Sequence, residues 1–371
     1  MTTTQLDRFM EEMPARGIPE SELCVTLDGK LIYCKTVGRE NPERNMALVC
    51  SVSKITTCVA ALRLIEEGRL SLDDPVEKYL PAYQNLMVKQ PDGSVKPAKT
   101  KMTVLHLFTM TGGLNYTLDT VPILRACAAP GAGTVDVVNS FAEAPLDFEP
   151  GSRFQYSLCH DTLAAVVEIA SGQRFADYVR ENILLPLEME DTGYHLTEEL
   201  MPRLARQYTY IKGVNRAKEV TPYNRYILTP DYDSGGAGLY TTAIDQLKLL
   251  TALALGGTAA NGYRLLNEET VKMCETGRLN DSVLPTFFPA RLFGYNWGLC
   301  GRVHTNPDVS CSLSPVGEFG WDGATGPYAL VDRKNRLAFY FGMHIYGCTY
   351  VYNHLHPIIR NNVYMTFAQD R

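Results

Sequence analysis

The chain has 371 residues, of which 45% are hydrophobic and 20% charged, with a net charge of −6. Such a chain is long enough to bury a large core and has the composition of an ordinary globular protein. The acidic balance and the lack of a long basic run argue against a nucleic-acid partner, and no apolar run approaches the roughly 20 residues needed to cross a bilayer.

The start, Met1 to Arg8, lacks the charged segment and apolar core of a signal peptide, so a cytoplasmic location is expected. Ten cysteines are scattered without a C-x-x-C pair, which predicts reduced thiols, several of them in the core.

The first predicted element is a short amphipathic helix over residues 5–13, stopped by Pro14. Leu23 to Leu27 and Leu31 to Val37 read as strands joined by an Asp28-Gly29 turn. Ser51 to Glu67 reads as one amphipathic helix closed by Gly68, with Ile55, Val59, Leu62 and Ile65 at helical spacing. A polar, loop-rich stretch follows from Val76, containing Pro91-Asp92-Gly93. Helices are predicted over Thr103–Thr109, Asp136–Ala142, Leu163–Ala170 and Phe175–Leu185. A Gly-rich crossing, Asp231 to Leu239, leads into a helix over Thr242–Ala254.

Strand signals return at Phe293–Leu299, Tyr328–Asp332 and Leu337–Met343, with Arg333 to Arg336 as the last turn. A helix from Pro357 to Ala368 closes the chain, proline suiting its first turn. Sheet elements at both ends with helices between predict one α+β unit over 1–371. Its sheet-containing lobe takes 1–85 and 231–371, its mainly helical lobe 86–230, and its active site lies between them.

Three stretches carry chemistry. Ser51-Val52-Ser53-Lys54 places a hydroxyl and an amine one helical turn apart, beside the unpaired N–H groups of a helix start. That is a nucleophile, a candidate base and an anion-stabilising setting. Tyr156-Ser157-Leu158 follows a Pro150-Gly151 turn; a phenol beside a cation is expected to lose part of its pKa and to accept a proton from a serine. Phe319 to Gly326 is a Gly-rich strand edge that offers N–H groups to an oxyanion.

In this order and separation the three pieces resemble the serine β-lactamase and penicillin-binding-protein superfamily, whose motifs are S-x-x-K, Tyr-x-Asn, then Lys-Thr-Gly or His-x-Gly. Leu107 to Leu114, Gly235 to Leu239 and Phe293 to Gly298 are similar to secondary signatures of that superfamily. The resemblance implies a β-lactamase-like fold, an antiparallel sheet flanked by helices, and no cofactor.

Two departures narrow the function. Leu158 stands where class C β-lactamases have Asn, and Trp321 where Lys or His helps to hold a substrate carboxylate. Asp322 would repel a carboxylate if it pointed inward. With Trp321 the set is similar to family VIII carboxylesterases and related acyltransferases. The resemblance then implies Ser51 as nucleophile, Tyr156 tuned by Lys54 as base, and the N–H groups of Ser51 and Ala324 as oxyanion hole. Trp321, Asp322, Gly323 and Leu158 would contact a small-molecule ester or acyl substrate.

The first expectation is ester hydrolysis through an acyl-enzyme. An acyltransferase, a D-amino-acid peptidase or weak β-lactamase, and a non-catalytic binding protein remain as alternatives, and the oligomeric state is open. No G-x-S-x-G or H-E-x-x-H occurs. His354 and His356 lack evident companion ligands, so no metal is expected. Cys159 and His160 read as packing or pocket residues, and Asp161 as a helix cap.

Overall fold

Asp28 and Gly29, at φ of 51° and 79°, turn the chain between β1 (Ser21–Leu27) and β2 (Lys30–Val37). This hairpin is one edge of a seven-stranded antiparallel sheet. The other strands come from the far end of the sequence: β3 (Tyr295–Trp297), β4 (Arg302–His304), β5 (Phe319–Asp322), β6 (Tyr328–Asp332) and β7 (Leu337–Gly342). Their order is β2-β1-β7-β6-β5-β4-β3. The computed structural model describes residues 1–39, 45–287 and 292–368.

Strand alternation sorts the central strands between two layers. Leu337, Phe339 and Phe341 of β7 pack with Leu6 and Met10 of α1 (Thr3–Glu11) and Ile359 and Val363 of the last helix, His356–Phe367. Ala338 and Tyr340 face the opposite way, into a cluster with Leu247 and Leu250 of the helix Ala243–Ala254. Covered on both faces, β6 and β7 are buried along their whole length.

The helical region is built around Cys159–Ser171, which packs against α2 (Ser53–Glu66), α3 (Val104–Phe108) and α4 (Thr134–Phe141). We label the central helix α5 and the helix Ala243–Ala254 α6. Helix α2 is not amphipathic as its spacing suggested. Every residue from Ser53 to Leu62 is buried, because α2 lies between α5 and the sheet strand β5. One apolar cluster therefore runs without a break from Leu163 and Val166 through Val59 and Leu62 to Val331 and Tyr340.

Several short elements escape the sequence pattern. Met87–Lys89 and Val95–Pro97 form a hairpin in the stretch read as loop, and Val121–Cys127 is a helix. Gln207–Ile211 and Arg216–Val220 pair antiparallel inside the stretch read as mainly helical. The second of these strands is mostly exposed, so it has no apolar alternation to signal it. The all-reduced reading of the cysteines fails at one pair: Cys24 and Cys34 face each other across β1 and β2 and are bridged. The other eight are free, six of them buried. Among the described residues no helix is long and apolar enough to cross a membrane.

Candidate active site

Helix α2 is entered through a tight 3-10 turn, Cys50–Val52, with Cys50 at φ 45°. A side chain in that left-handed region costs about 1 kcal/mol or more. The bend throws Ser51 out of the strand direction and onto the floor of a cavity. Ser53 fixes the turn: its hydroxyl donates to the Cys50 carbonyl at 2.5 Å and accepts from the Leu239 N–H at 3.0 Å.

One turn on, Lys54 is 2% exposed. Its Nζ lies 3.1 Å from Ser51 Oγ, 2.9 Å from Tyr116 Oη and 2.7 Å from the Gly236 carbonyl oxygen. Burial pulls its pKa from the ordinary 10.5 down to about 8, against the attraction of Asp161, which raises it. A neutral amine has two N–H groups and one lone pair. Donation to Gly236 and Tyr116 leaves the lone pair for the Ser51 proton.

Asp161 does not cap α5 as expected. From the first turn of that helix its carboxylate accepts from Tyr232 Oη at 2.8 Å, Ser234 Oγ at 2.6 Å and the Gly236 N–H at 3.3 Å. A Cβ on Gly236 would lie 2.3 Å from Asp161 Oδ2, so only glycine lets this loop approach. One residue thus binds the carboxylate through its N–H and the Lys54 amine through its carbonyl. Asp161→Asn is expected to shift the Lys54 titration below 8, moving the alkaline-rising limb of any pH–rate profile to lower pH. It should also lower the urea midpoint by an amount equivalent to about 2 kcal/mol, since three hydrogen bonds lose their charged acceptor.

Tyr156 arrives on the segment after Pro150-Gly151. Asp147 holds its neighbour Gln155 at 2.6 Å and also Asn115, next to Tyr116, at 3.2 Å. The two tyrosines are thereby stacked with ring centroids 5.6 Å apart. Trp321 Nε1 donates to Tyr156 Oη at 2.8 Å. The expected lowering of the Tyr156 pKa does not occur. Burial drives the phenol well above its ordinary value, and the hydrogen bonds of Ser51 and Trp321 offset this only in part. The reason is placement: the Lys54 ammonium sits over the Tyr156 ring, 4.8 Å from its centroid, and spends its hydrogen bonds on Ser51, Tyr116 and Gly236.

The third stretch closes the site. Ser51 and Ala324 line the same cavity, and neither backbone N–H has a hydrogen-bond partner among the described residues. Gly323 is expected at the substrate but does not line the cavity. It is glycine because a Cβ would lie 2.2 Å from the Val49 carbonyl oxygen, and this contact brings the end of β5 against the turn before Ser51. Thr325 ties the same two segments through a 2.8 Å hydrogen bond to the Leu48 carbonyl. Asp322 is 6% exposed; it borders the cavity and faces His356 Nδ1 at 3.9 Å.

The cavity has a volume of about 670 Å³ and walls that are mostly aromatic and aliphatic, among them Phe154, Tyr226, Phe287, Leu292 and Trp321. Leu158 is a correction. Just before α5 its side chain turns into the helical region, where it lines a separate cavity of about 160 Å³ with Asn115 and Phe141. Tyr116 and Arg225 line the main cavity and escape sequence reading. Tyr116 lies in a loop two residues after Leu114, and only its closeness to the Gly112-Gly113 turn hints at it. His160 is a packing residue: burial holds its pKa at about 3, with Nε2 3.2 Å from the Phe108 carbonyl. His356 is likewise in the core, stacked on Tyr328 at 4.5 Å.

A protein-family model described as Beta-lactamase matches residues 6–344. Esterase EstB of Burkholderia gladioli is 29% identical over 359 residues, covering 89% of this chain and 87% of its own. Acyltransferase calJ of Penicillium decumbens is 29% identical over 367 residues, covering 88% and 84%. The solved structure of Simvastatin Synthase (LovD) from Aspergillus terreus, an unliganded selenomethionyl derivative, matches with a TM-score of 0.82 at 20% identity over 100% of both chains.

Proposed function

The chain belongs to the beta-lactamase family, and from that premise we propose that it is a serine hydrolase of carboxylic esters working through an acyl-enzyme on Ser51. The observation that carries the reading is the 2.8 Å hydrogen bond from Trp321 Nε1 to Tyr156 Oη. An indole occupies the place where a cation would hold a substrate carboxylate, so the wall beside the reacting bond is apolar.

Neutral Lys54 takes the Ser51 proton as Oγ attacks the ester carbonyl. The N–H groups of Ser51 and Ala324 receive the oxyanion. Tyr156, protonated by virtue of its high pKa, gives its proton to the departing alkoxide. The phenolate forms only after Lys54 has become an ammonium over its ring, and it keeps the Trp321 hydrogen bond. In deacylation the phenolate takes a proton from water, and the Lys54 ammonium returns its proton to the departing Ser51 Oγ.

The names of EstB and calJ support this chemistry, because an esterase and an acyltransferase differ only in what accepts the acyl group. An alcohol acceptor is a second reading, favoured by a cavity of about 670 Å³, which has room for an organic acceptor beside the acyl group. The deciding experiment incubates the protein with p-nitrophenyl esters of several chain lengths and with nitrocefin, then maps the acylated peptide by mass spectrometry. An acyl group on Ser51 from the esters is expected. Labelling elsewhere, or nitrocefin turnover far above ester turnover, rejects the reading. New ester formed from an added alcohol would favour the transferase. Tyr156→Phe is expected to lower kcat/KM by about 100-fold or more, within the range for a general acid, and least for the p-nitrophenolate leaving group.

A further inference from the structure

Arg225 stands in the wall of the cavity that holds Ser51. Its guanidinium is propped in place: Nη2 donates to Tyr226 Oη at 2.8 Å, and the group lies 4.9 Å from the Tyr226 ring centroid. Tyr226 meets Tyr116 edge-on at 5.9 Å, and Tyr116 stacks on Tyr156. An aromatic line therefore connects the arginine to the reacting groups. The groups that act on its charge are Tyr226, Tyr346 and Cys50, none of them a carboxylate. Arginine has five N–H donors in a rigid fork that matches a carboxylate or phosphate.

The remaining charges do not cancel this. Asp322 is buried and turned to His356 and toward the field of Arg302. Asp119, also in the wall, is exposed like Arg225 and forms no ion pair with it among the described residues. A cation that borders the cavity and forms no ion pair among the described residues is free to meet an anion entering there.

Resting on the ester reading above, we infer that Arg225 binds an anionic oxygen group, carboxylate or phosphate, that the substrate carries away from the scissile ester. The natural substrate would then be an anionic ester, recognised at a point separate from the Trp321 wall.

The test compares mono-p-nitrophenyl glutarate and p-nitrophenyl 4-phosphonobutyrate with neutral p-nitrophenyl valerate. Wild type is expected to prefer an anionic ester about tenfold in kcat/KM, the size of one charge-assisted hydrogen bond. Whichever anion is faster names the group. Arg225→Gln should bring the ratio close to one, mainly through KM, and Arg225→Lys should keep part of it. A wild-type ratio near one, or a ratio unchanged in Arg225→Gln, overturns the inference.

Turnover of valerate that is lost in Ser51→Ala supports the parent reading independently. Should no ester turn over, the parent reading fails and binding still decides on Arg225. The chain has two tryptophans, one in the cavity wall and the other 4.6 Å from it, so their fluorescence reports occupancy. 3-Carboxyphenylboronic acid should bind about tenfold tighter than phenylboronic acid to wild type and equally to Arg225→Gln; equal binding to wild type overturns the inference.

Discussion

Ser51→Ala is expected to lower kcat/KM for p-nitrophenyl esters by about 10⁴-fold or more, leaving only what oriented binding and the oxyanion donors supply. The loss is large because, among the described residues, Ser51 is the only serine or threonine that lines the cavity, and its hydroxyl touches the Lys54 amine. Removing one oxygen from a nearly buried position leaves the packing of α2 intact, so thermal melting should move by only a few degrees. Wild-type and variant turnover measured on one melting-matched preparation decides the matter. Retained activity would mean that another group is acylated.

Lys54→Met is expected to cost about 10³-fold and to remove the pH limb. With a pKa of about 8, the amine is mostly protonated at pH 6 and mostly neutral at pH 10. Activity that needs the neutral form therefore rises with pH through about 8 and is about 100-fold lower at pH 6 than on the plateau. Methionine is close in length and apolar, but the Gly236 carbonyl and Tyr116 hydroxyl lose their donor. A residual rate with the same limb near 8 would assign the titration to a different group.

The stretches assigned to the proposed chemistry were readable as motifs because each is local. S-x-x-K spans one helical turn, and the Trp321 edge precedes a strand with plain alternation. Properties that depend on burial were not. Tyr156 was expected to be acidified by Lys54, yet its pKa rises, because burial disfavours the phenolate and the ammonium lies over its ring. Leu158 follows Tyr156 by two residues, but the start of α5 turns it into another cavity. Tyr116 and Arg225 come from loops without periodicity. The Cys24–Cys34 bridge turns on a single residue. From the Asp28-Gly29 turn, Leu27 pairs Lys30 and Thr26 pairs Leu31, which would set Cys24 opposite Tyr33. A register shift between Val25 and Thr26 brings Cys34 there instead. A bulge of one residue leaves no compositional mark.

The 2.2 Å gap that forbids a Cβ at Gly323 has a consequence for how such a site can change over generations. Ser51 and Lys54, the proposed nucleophile and base, sit where backbone meets backbone, at the Val49 carbonyl, the Gly236 loop and the buried turn of α2. A side chain at Gly323 or Gly236 would push these segments apart. Arg225, Leu118 and Phe287 lie on the connecting segments that wall the cavity and carry none of those contacts. Substrate range can therefore drift while the reaction stays fixed, and descendants of one ancestor can differ in what they cleave or transfer without relearning how.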